Sequence, residues 1–280
     1  MKEKYNLLHQ SIWRIIDQSQ TGLHVSALNS FGMDDTLCAL VGGGSAPATV
    51  RTWVHDKTIV LGIQDTRLPH LSEALEFLHS QGYQTIVRNS GGLAVVLDKD
   101  VLNISLILPE REKGIDINSG YDTMWQLIKM MFTDFKADIE AKEIVGSYCP
   151  GSYDLSIKGR KFAGISQRRI RGGVAVQIYL CVNGSGQKRG EIIRQFYKIG
   201  VGEKQTKFAY PVIQPHVMAS MSELLGVELT VNQVMTRLLY AIKDHADSLY
   251  ADSLQGEELA LFEVYYQRVS ERNAKILQSC

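Results

Sequence analysis

The sequence has no excess of charge of either sign, and it contains little cysteine. Its 280 residues carry 30 basic and 30 acidic side chains, so the formal net charge is zero. A neutral chain without a basic block lacks the electrostatic character of a protein that binds nucleic acid. Its four cysteines are too few and too widely spaced for the disulfide framework of a small secreted domain. They also show no CxxC or Cys/His spacing, so no metal site is predicted.

Long apolar runs and an N-terminal signal core are missing as well. The longest uncharged stretches, residues 36–50 and 172–187, are too short and too rich in Gly, Asn or Ser to span a bilayer. Residues 1–6 contain no apolar core of a secretory signal. We therefore expect a cytoplasmic protein with no membrane partner, in which each cysteine is either a small buried hydrophobe or a reactive thiol.

The composition, with 45% apolar and 21% charged residues, is that of a folded globular protein. Hydrophobic periodicity predicts helices over residues 5–16, 34–41, 71–80, 121–135, 191–199, 215–225, 231–245 and 257–277. It predicts strands over residues 50–54, 58–62, 85–88, 93–97, 102–108, 153–157, 160–167 and 174–182. Because the strands come in hairpin-like runs, the pattern favours an α+β fold (mixed α/β), with mixed β-sheets flanked by helices, over a doubly wound parallel sheet. No linker or repeat divides the chain, so residues 1–280 are expected to form a single domain.

A glycine-rich segment, Arg88-Asn89-Ser90-Gly91-Gly92, joins two of the predicted strands. Paired glycines let the backbone approach a ligand closely, their N–H groups can face a phosphate or carbonyl oxygen, and Arg88 can add charge. An ordinary tight turn would explain the same pattern. The segment does not match GxxxxGKS/T, which excludes a P-loop nucleotidase.

Among the cysteines, Cys149 is the candidate nucleophile because it lies in a Pro- and Gly-containing loop that leads into a strand. A predicted turn at Lys158-Gly159 folds the next strand back and brings Lys161 within reach of that loop. A cationic neighbour increases the thiolate fraction of a cysteine, and a thiolate attacks carbonyls to form thioesters. From the residues alone, a passive loop cysteine remains the alternative. Cys38, Cys181 and Cys280 are interpreted as structural or incidental, and the seven histidines show no metal-ligand spacing.

Two motifs in order resemble the biotin/lipoate protein ligase family. Residues 88–95, RNSGGLAV, are similar to the family's R-R-x-S-G-G-G-A-V loop, and residues 161–169, KFAGISQRR, to its K-I/F-A/S-G-x-A/S-Q-R segment. Residues 52–62 resemble the strand pair that precedes these motifs. The resemblance implies the catalytic-domain fold of that family over residues 30–250, with residues 251–280 as a C-terminal helical extension. It also implies a site in which the acyl chain and its head are bound by Arg88, Asn89, Ser90, Gly91, Gly92, Ala163 and Gly164.

Three positions indicate a subgroup of that family. Leu93 replaces the third glycine of the loop, and Leu97-Asp98 replaces the His-Asp that often follows in the ligases that use ATP. Cys149 stands where the cysteine-dependent octanoyltransferases of the family carry their nucleophile. Residues 148–169 are most similar to the amidotransferases of lipoate assembly in Gram-positive bacteria. This resemblance implies Cys149 as the nucleophile, with Lys161 stabilising its thiolate and contacting the carbonyl.

The implied reaction moves an octanoyl group between two proteins. The donor is the N6-octanoyl-lysine of the glycine cleavage system H protein, and the acceptor is the lipoyl-domain lysine of 2-oxoacid dehydrogenase E2 subunits. Exchange of one amide for another is close to thermoneutral, so no cofactor is expected. The N–H groups of Gly91, Gly92 and Gly164 are candidate oxyanion donors. The alternatives are an octanoyl-acyl-carrier-protein-dependent transferase, an ATP-dependent lipoate ligase and a lipoyl-domain binding module without catalysis.

A group of cations beside the candidate site predicts a local positive rim despite the zero net charge. Such a rim would steer an acidic carrier domain toward the site. Its predicted members are Lys158, Arg160, Lys161, Arg168, Arg169 and Arg171.

Overall fold

The computed structural model describes residues 7–110 and 114–278. Three expectations fall on residues outside this range. They concern Cys280, the lack of a signal core in residues 1–6, and the start of the helix predicted over residues 5–16. The helices of the described residues are α1 (Leu28–Gly42), α2 (Leu71–Ser80), α3 (Ile117–Met131), α4 (Gly186–Val201), α5 (Met221–Leu225), α6 (Val231–Lys243) and α7 (Glu257–Gln278). The strands are β1 (Gln10–Gln18), β2 (Thr49–Trp53), β3 (Thr58–Leu61), β4 (Gln84–Val87), β5 (Val95–Leu97), β6 (Val101–Pro109), β7 (Glu140–Ala141), β8 (Asp154–Ile157), β9 (Arg160–Ile170), β10 (Gly173–Cys181) and β11 (Ala246–Ala251).

The strands form a large mixed sheet and a small one, which confirms the predicted α+β fold. The large sheet has eight strands among the described residues, in the order β11-β1-β2-β6-β10-β9-β8-β7. Strand β1 runs parallel to both β2 and β11, and the remaining pairs are antiparallel. The small sheet has the order β4-β3-β5, with β4 parallel to β3.

Two main hydrophobic clusters lie on opposite sides of the large sheet. One packs α3 and α6 against one face, through residues such as Leu127 and Leu238. The other joins the small sheet to α2 and α4 and includes Trp53 and Tyr179 from the large sheet. The small sheet therefore faces the large sheet, and the space between them holds the candidate site.

The helix predicted over residues 5–16 is wrong, since residues 10–18 form strand β1. Its leucines and isoleucines recur at a helical period, but β1 lies between β2 and β11 and is buried on both faces. The run Trp13 to Ile16 is buried without interruption, and Arg14 within it is neutralised by Glu258 at 2.7 Å. A strand covered on both faces loses the polar–apolar alternation that identifies strands in a sequence. Strand β11 was also missed, since it lies between the helices predicted over residues 231–245 and 257–277, where no strand was expected.

Helix α7 packs along α1 at close range. A Cβ on Gly32 of α1 would lie 3.0 Å from the Cα of Tyr266 in α7, so glycine permits this approach. Tyr265 and Val269 are the buried residues of α7. Within residues 7–110 and 114–278, none of the helices has the length and apolar content needed to cross a lipid bilayer.

Candidate active site

A cavity of about 280 Å³ opens between the two sheets and has Cys149 in its wall. Its apolar lining comes from α1 and from strands of both sheets, and includes Phe31, Trp53, Val60, Val95, Leu97 and Ile178. Polar groups in the wall include Asn103, Asp154, Gln177 and Tyr179. An apolar group that carries a reactive carbonyl matches this combination of surfaces.

The Cys149 sulfur lies between two hydrogen-bond donors. The backbone N–H of Leu93 and the Nη2 of Arg88 each lie 3.2 Å from Sγ. The same guanidinium nitrogen donates to the carbonyl oxygen of Leu93, so Arg88 connects the glycine loop to the sulfur. Cys149 itself has φ of +46°, a left-handed conformation that a non-glycine residue adopts at a cost in free energy and that recurs at functional sites. The structure therefore places a cation and a backbone N–H group at the sulfur.

Lys161 and Asp154 hold the loop that carries Cys149. Lys161 is fully buried, its Nζ lies 2.8 Å from Asp154 Oδ1, and it donates to the carbonyl oxygens of Tyr148 and Cys149, both at 2.8 Å. Asp154 also accepts from the N–H groups of Ile144 and Gly151, each at 3.1 Å. The carboxylate therefore contacts both ends of the loop, and the ammonium contacts its middle.

Burial raises the pKa of Asp154, while the nearby Lys161 ammonium and the backbone N–H donors limit that rise. An ion pair with no exposed surface is stable only when both charges are present, because either one alone would be stranded in a medium of low polarity.

The structure shows Lys161 bonded to the loop that carries Cys149. The hydrogen bonds of the Lys161 ammonium go to backbone oxygens and to the hydroxyl of Ser147. The cation placed at the sulfur is Arg88, which the sequence assigned to binding the acyl chain and its head. Lys161 is fully buried and reaches the carbonyls of the Cys149 loop, and its role at the sulfur stays a prediction.

Of the seven residues predicted to bind the acyl group, five line the cavity and two do not. Those in the wall are Arg88, Ser90, Gly91, Gly92 and Gly164. Asn89 turns away and donates from Nδ2 to Asp35 at 2.9 Å. Ala163 is fully buried in the cluster beneath the large sheet, because successive strand residues face opposite sides and Gly164 takes the cavity side.

Three of the six cations of the predicted positive rim are neutralised within the protein. Lys161, Arg168 and Arg169 are neutralised at 2.7–2.8 Å by Asp154, Asp35 and Glu110, respectively. The exposed members Lys158 and Arg171 sit in turns at opposite ends of β9. An eleven-residue strand separates those two turns by roughly 35 Å.

A buried carboxylate that sequence reasoning missed supports the glycine loop from behind. Asp65 accepts the N–H of Gly62 at 2.7 Å and the hydroxyl of Tyr197 at 2.8 Å, and that hydroxyl accepts the N–H of Ala94 at 3.3 Å. A Cβ on Gly62 would lie 1.9 Å from the carbonyl oxygen of Gly92, so the loop packs directly on this turn. Burial raises the pKa of Asp65 to about 6. The only sequence signal was an Asp three residues after a strand-ending glycine, a common turn pattern.

Asn in place of Asp65 is expected to change how stability depends on pH. The native pKa is raised above the unfolded value, so between about pH 4 and 6 the native state binds more protons and wild-type stability falls as pH rises. The Asp65→Asn variant lacks this contribution. Its stability relative to wild type should increase by roughly 2–3 kcal/mol from pH 4 to pH 7, at 1.4 kcal/mol per pKa unit. Urea unfolding of both proteins across that range measures the difference. An equal difference at pH 4 and pH 7 would contradict the desolvation of Asp65.

A family model, the lipoyl protein ligase A/B catalytic domain, matches residues 26–243. The octanoyl-[GcvH]:protein N-octanoyltransferase of Bacillus velezensis is 57% identical over 98% of this chain and 96% of that protein. The protein of the same name from Geobacillus kaustophilus is 55% identical, with 98% and 97% covered. The lipoyl-[GcvH]:protein N-lipoyltransferase of Listeria monocytogenes is 52% identical, with 99% and 100% covered.

Solved structures share the fold at much lower identity. A lipoate-protein ligase A bound with ATP superposes with a TM-score of 0.68 at 16% identity, covering 93% of this chain and 95% of that one. A chain from the structural analysis of a bipartite lipoate protein ligase and its E2 lipoyl domain from Thermoplasma acidophilum superposes with a TM-score of 0.64 at 16% identity, covering 93% of each chain. At this identity the likeness concerns the fold alone.

Proposed function

This chain belongs to the lipoyl protein ligase A/B catalytic domain family, and from that membership and the site we propose that it is an octanoyltransferase. It takes the octanoyl group from the modified lysine of the glycine cleavage H protein and passes it to the lipoyl-domain lysine of 2-oxoacid dehydrogenase E2 subunits. The names of relatives that share more than half of their residues with this chain give the octanoylated H protein as the donor. The observation that supports this most strongly is the Cys149 sulfur, held by Arg88 and Leu93 at the wall of the apolar cavity.

The first half-reaction forms a thioester. The octanoyl chain lies in the cavity, and the Cys149 thiolate attacks the amide carbonyl carbon. As the C–S bond forms and the C–N bond breaks, the donor lysine leaves as an amine that takes up the proton given up by the thiol. Arg88 and the Leu93 N–H stabilise the thiolate before attack and are released from it as the sulfur becomes neutral.

The second half-reaction reverses these steps with a different amine. The acceptor lysine attacks the thioester carbonyl, the C–S bond breaks, the thiolate returns to its place beside Arg88, and the new amide nitrogen loses a proton. One amide is exchanged for another, so the overall reaction needs no nucleotide.

Tyr179 is a donor for the oxygen that becomes negative in both steps. It lines the cavity, and its buried hydroxyl has no hydrogen-bond partner among the described residues. Burial raises the pKa of Tyr179 well above its usual value, so the hydroxyl keeps its proton. A preorganised donor in a wall shielded from water stabilises a developing oxyanion.

The compartment we assign is the cytoplasm. Cys38, Cys149 and Cys181 are all free thiols in the described part of the chain, which supports a reducing environment.

A comparison of three donors tests this function. Purified protein is mixed with an apo lipoyl domain and with octanoylated H protein, octanoyl-acyl-carrier protein, or octanoate plus ATP, and acceptor mass is followed over time. We expect a 126 Da gain, roughly the mass of an octanoyl group less one hydrogen, with octanoylated H protein and without nucleotide. Faster modification from acyl-carrier protein would favour the carrier-protein-dependent alternative. Modification that requires ATP would favour a ligase.

A further inference from the structure

Two side chains of α7 hold the backbone at the end of β4, at Val87 and at the residue that follows it, Arg88. Asn273 Oδ1 accepts the N–H of Val87 at 2.8 Å, and Arg272 Nη1 donates to the carbonyl oxygen of Arg88 at 3.0 Å. Helix α7 lies beyond residues 26–243, the part of the chain that the family model matches. Helix α7 thus contacts Arg88, a residue of the site, from outside the part of the chain that the family shares.

The position of β4 explains why these contacts matter. Among the described residues, β4 is an edge strand that pairs with β3 alone. The outward N–H of Val87 therefore has no partner in that sheet, and Asn273 supplies one. The N–H of Arg88 donates inward to Leu61 at 3.0 Å. With Arg272 on its carbonyl, the Arg88 backbone is fixed on both sides at the point where its side chain leaves for the Cys149 sulfur.

The end of α7 that makes these bonds is itself firmly placed. Upstream, Tyr265 and Val269 are buried, and the close approach of Gly32 and Tyr266 sets the distance between α7 and α1. Downstream, Ile276 and Leu277 pack against the cluster that joins the small sheet to α2 and α4. The two clamp residues, Arg272 and Asn273, lie between these two anchored parts of α7.

We propose that Asn273 and Arg272 are positioning residues that hold Arg88 against the Cys149 sulfur, so that α7 sets the reactivity of the nucleophile. This inference rests on the proposed function for its consequence in acyl transfer, but not for its effect on the thiol. The guanidinium reaches the sulfur at 3.2 Å, and a shift of its backbone by even a fraction of this distance would lengthen a hydrogen bond that depends steeply on geometry.

The test compares two substitutions of similar size at one position. Asn273→Leu removes the acceptor for the Val87 N–H, whereas Asn273→Asp keeps an oxygen there. We expect Asn273→Leu to lower the rate of Cys149 alkylation by iodoacetamide about three- to tenfold at pH 7, with a smaller loss at pH 9 where the thiolate forms more readily. The kcat of octanoyl transfer should fall by a similar factor, with KM within about twofold of wild type.

Asn273→Asp should restore both rates to near wild type. Gln267→Ala serves as the control because that side chain is exposed on α7 and bonds to Glu271 in the same helix. Equal alkylation rates in Asn273→Leu and wild type, in proteins with the same melting temperature, would overturn the proposal. So would equal losses in Asn273→Leu and Asn273→Asp. Because alkylation needs no acyl donor, a lowered alkylation rate in a protein that never transfers octanoate would support the clamp and refute the proposed function.

Discussion

Cys149→Ala is expected to abolish octanoyl transfer, with a loss on the order of 10⁴-fold or more, because the covalent route disappears with the sulfur. Wild-type protein incubated with octanoylated H protein alone should gain one octanoyl group, and peptide mapping should place it on Cys149. The variant should gain none. Cys149 lies at the wall of the cavity in a loop held by Asp154 and Lys161, so the fold does not depend on its thiol.

Cys38→Ala is the matched control for this experiment. Cys38 is a fully buried free thiol on α1, with no exposed surface from which to attack a donor, and burial raises its pKa well above the usual value. Transfer by this variant should equal that of wild type. Transfer that survives unchanged in Cys149→Ala would refute the thioester route and leave direct attack by the acceptor lysine.

Lys161→Met should have the largest effect on stability, a loss of roughly 3–5 kcal/mol, because it leaves the Asp154 carboxylate buried without a counter-charge. Transfer should fall with it, since the carbonyls of Tyr148 and Cys149 lose their common donor. Urea unfolding gives the stability, and alkylation of Cys149 reports on the loop.

The double variant Lys161→Met/Asp154→Asn separates the two effects. Removing the stranded charge should recover part of the lost stability, a coupling that a double-mutant cycle measures directly. The alkylation rate should stay low, because the loop still lacks its ammonium. Lys158→Met, three residues away in an exposed turn, should change neither quantity. Additive losses in the double variant would mean that the pair is not coupled as the structure has it.

Local patterns predicted much of the fold. Helix α2 has the predicted bounds, and the hairpin of β8 and β9 was expected from Lys158-Gly159. Elements that depend on distant partners were missed. Strand β11 is an edge strand whose pairing with β1 comes from the other end of the chain, and helix α1 was predicted too short because it buries Asp34. Nothing local shows that this carboxylate meets Arg51 at 2.9 Å.

The sequence predicted which residues come together at the site better than it predicted which of their atoms are in contact. The hairpin argument placed Lys161 beside the Cys149 loop, but which atoms it meets depends on side-chain direction in three dimensions. Arg88 and Leu93 belong to the recognised loop, yet their approach to the sulfur depends on how two sheets face each other. Asp154 lies five residues after Cys149, but no role was predicted for it. No characteristic spacing in a sequence identifies a carboxylate that will be buried against a lysine.

Two contacts made late in the chain, the pairing of β1 with β11 and the packing of α7 on β4, determine when the fold can be completed during synthesis. The ribosome makes β1 early, but its outer partner and the clamp on Arg88 emerge only after every other element of the two sheets. Parallel pairing between such distant segments forms slowly, because the chain between them must first be ordered. A nascent chain that still lacks α7 therefore has the Cys149 thiol but not the hydrogen bonds from α7 to the backbone at Arg88. If α7 positions Arg88 as we propose, full acyl-transfer competence arrives only after α7 has been made.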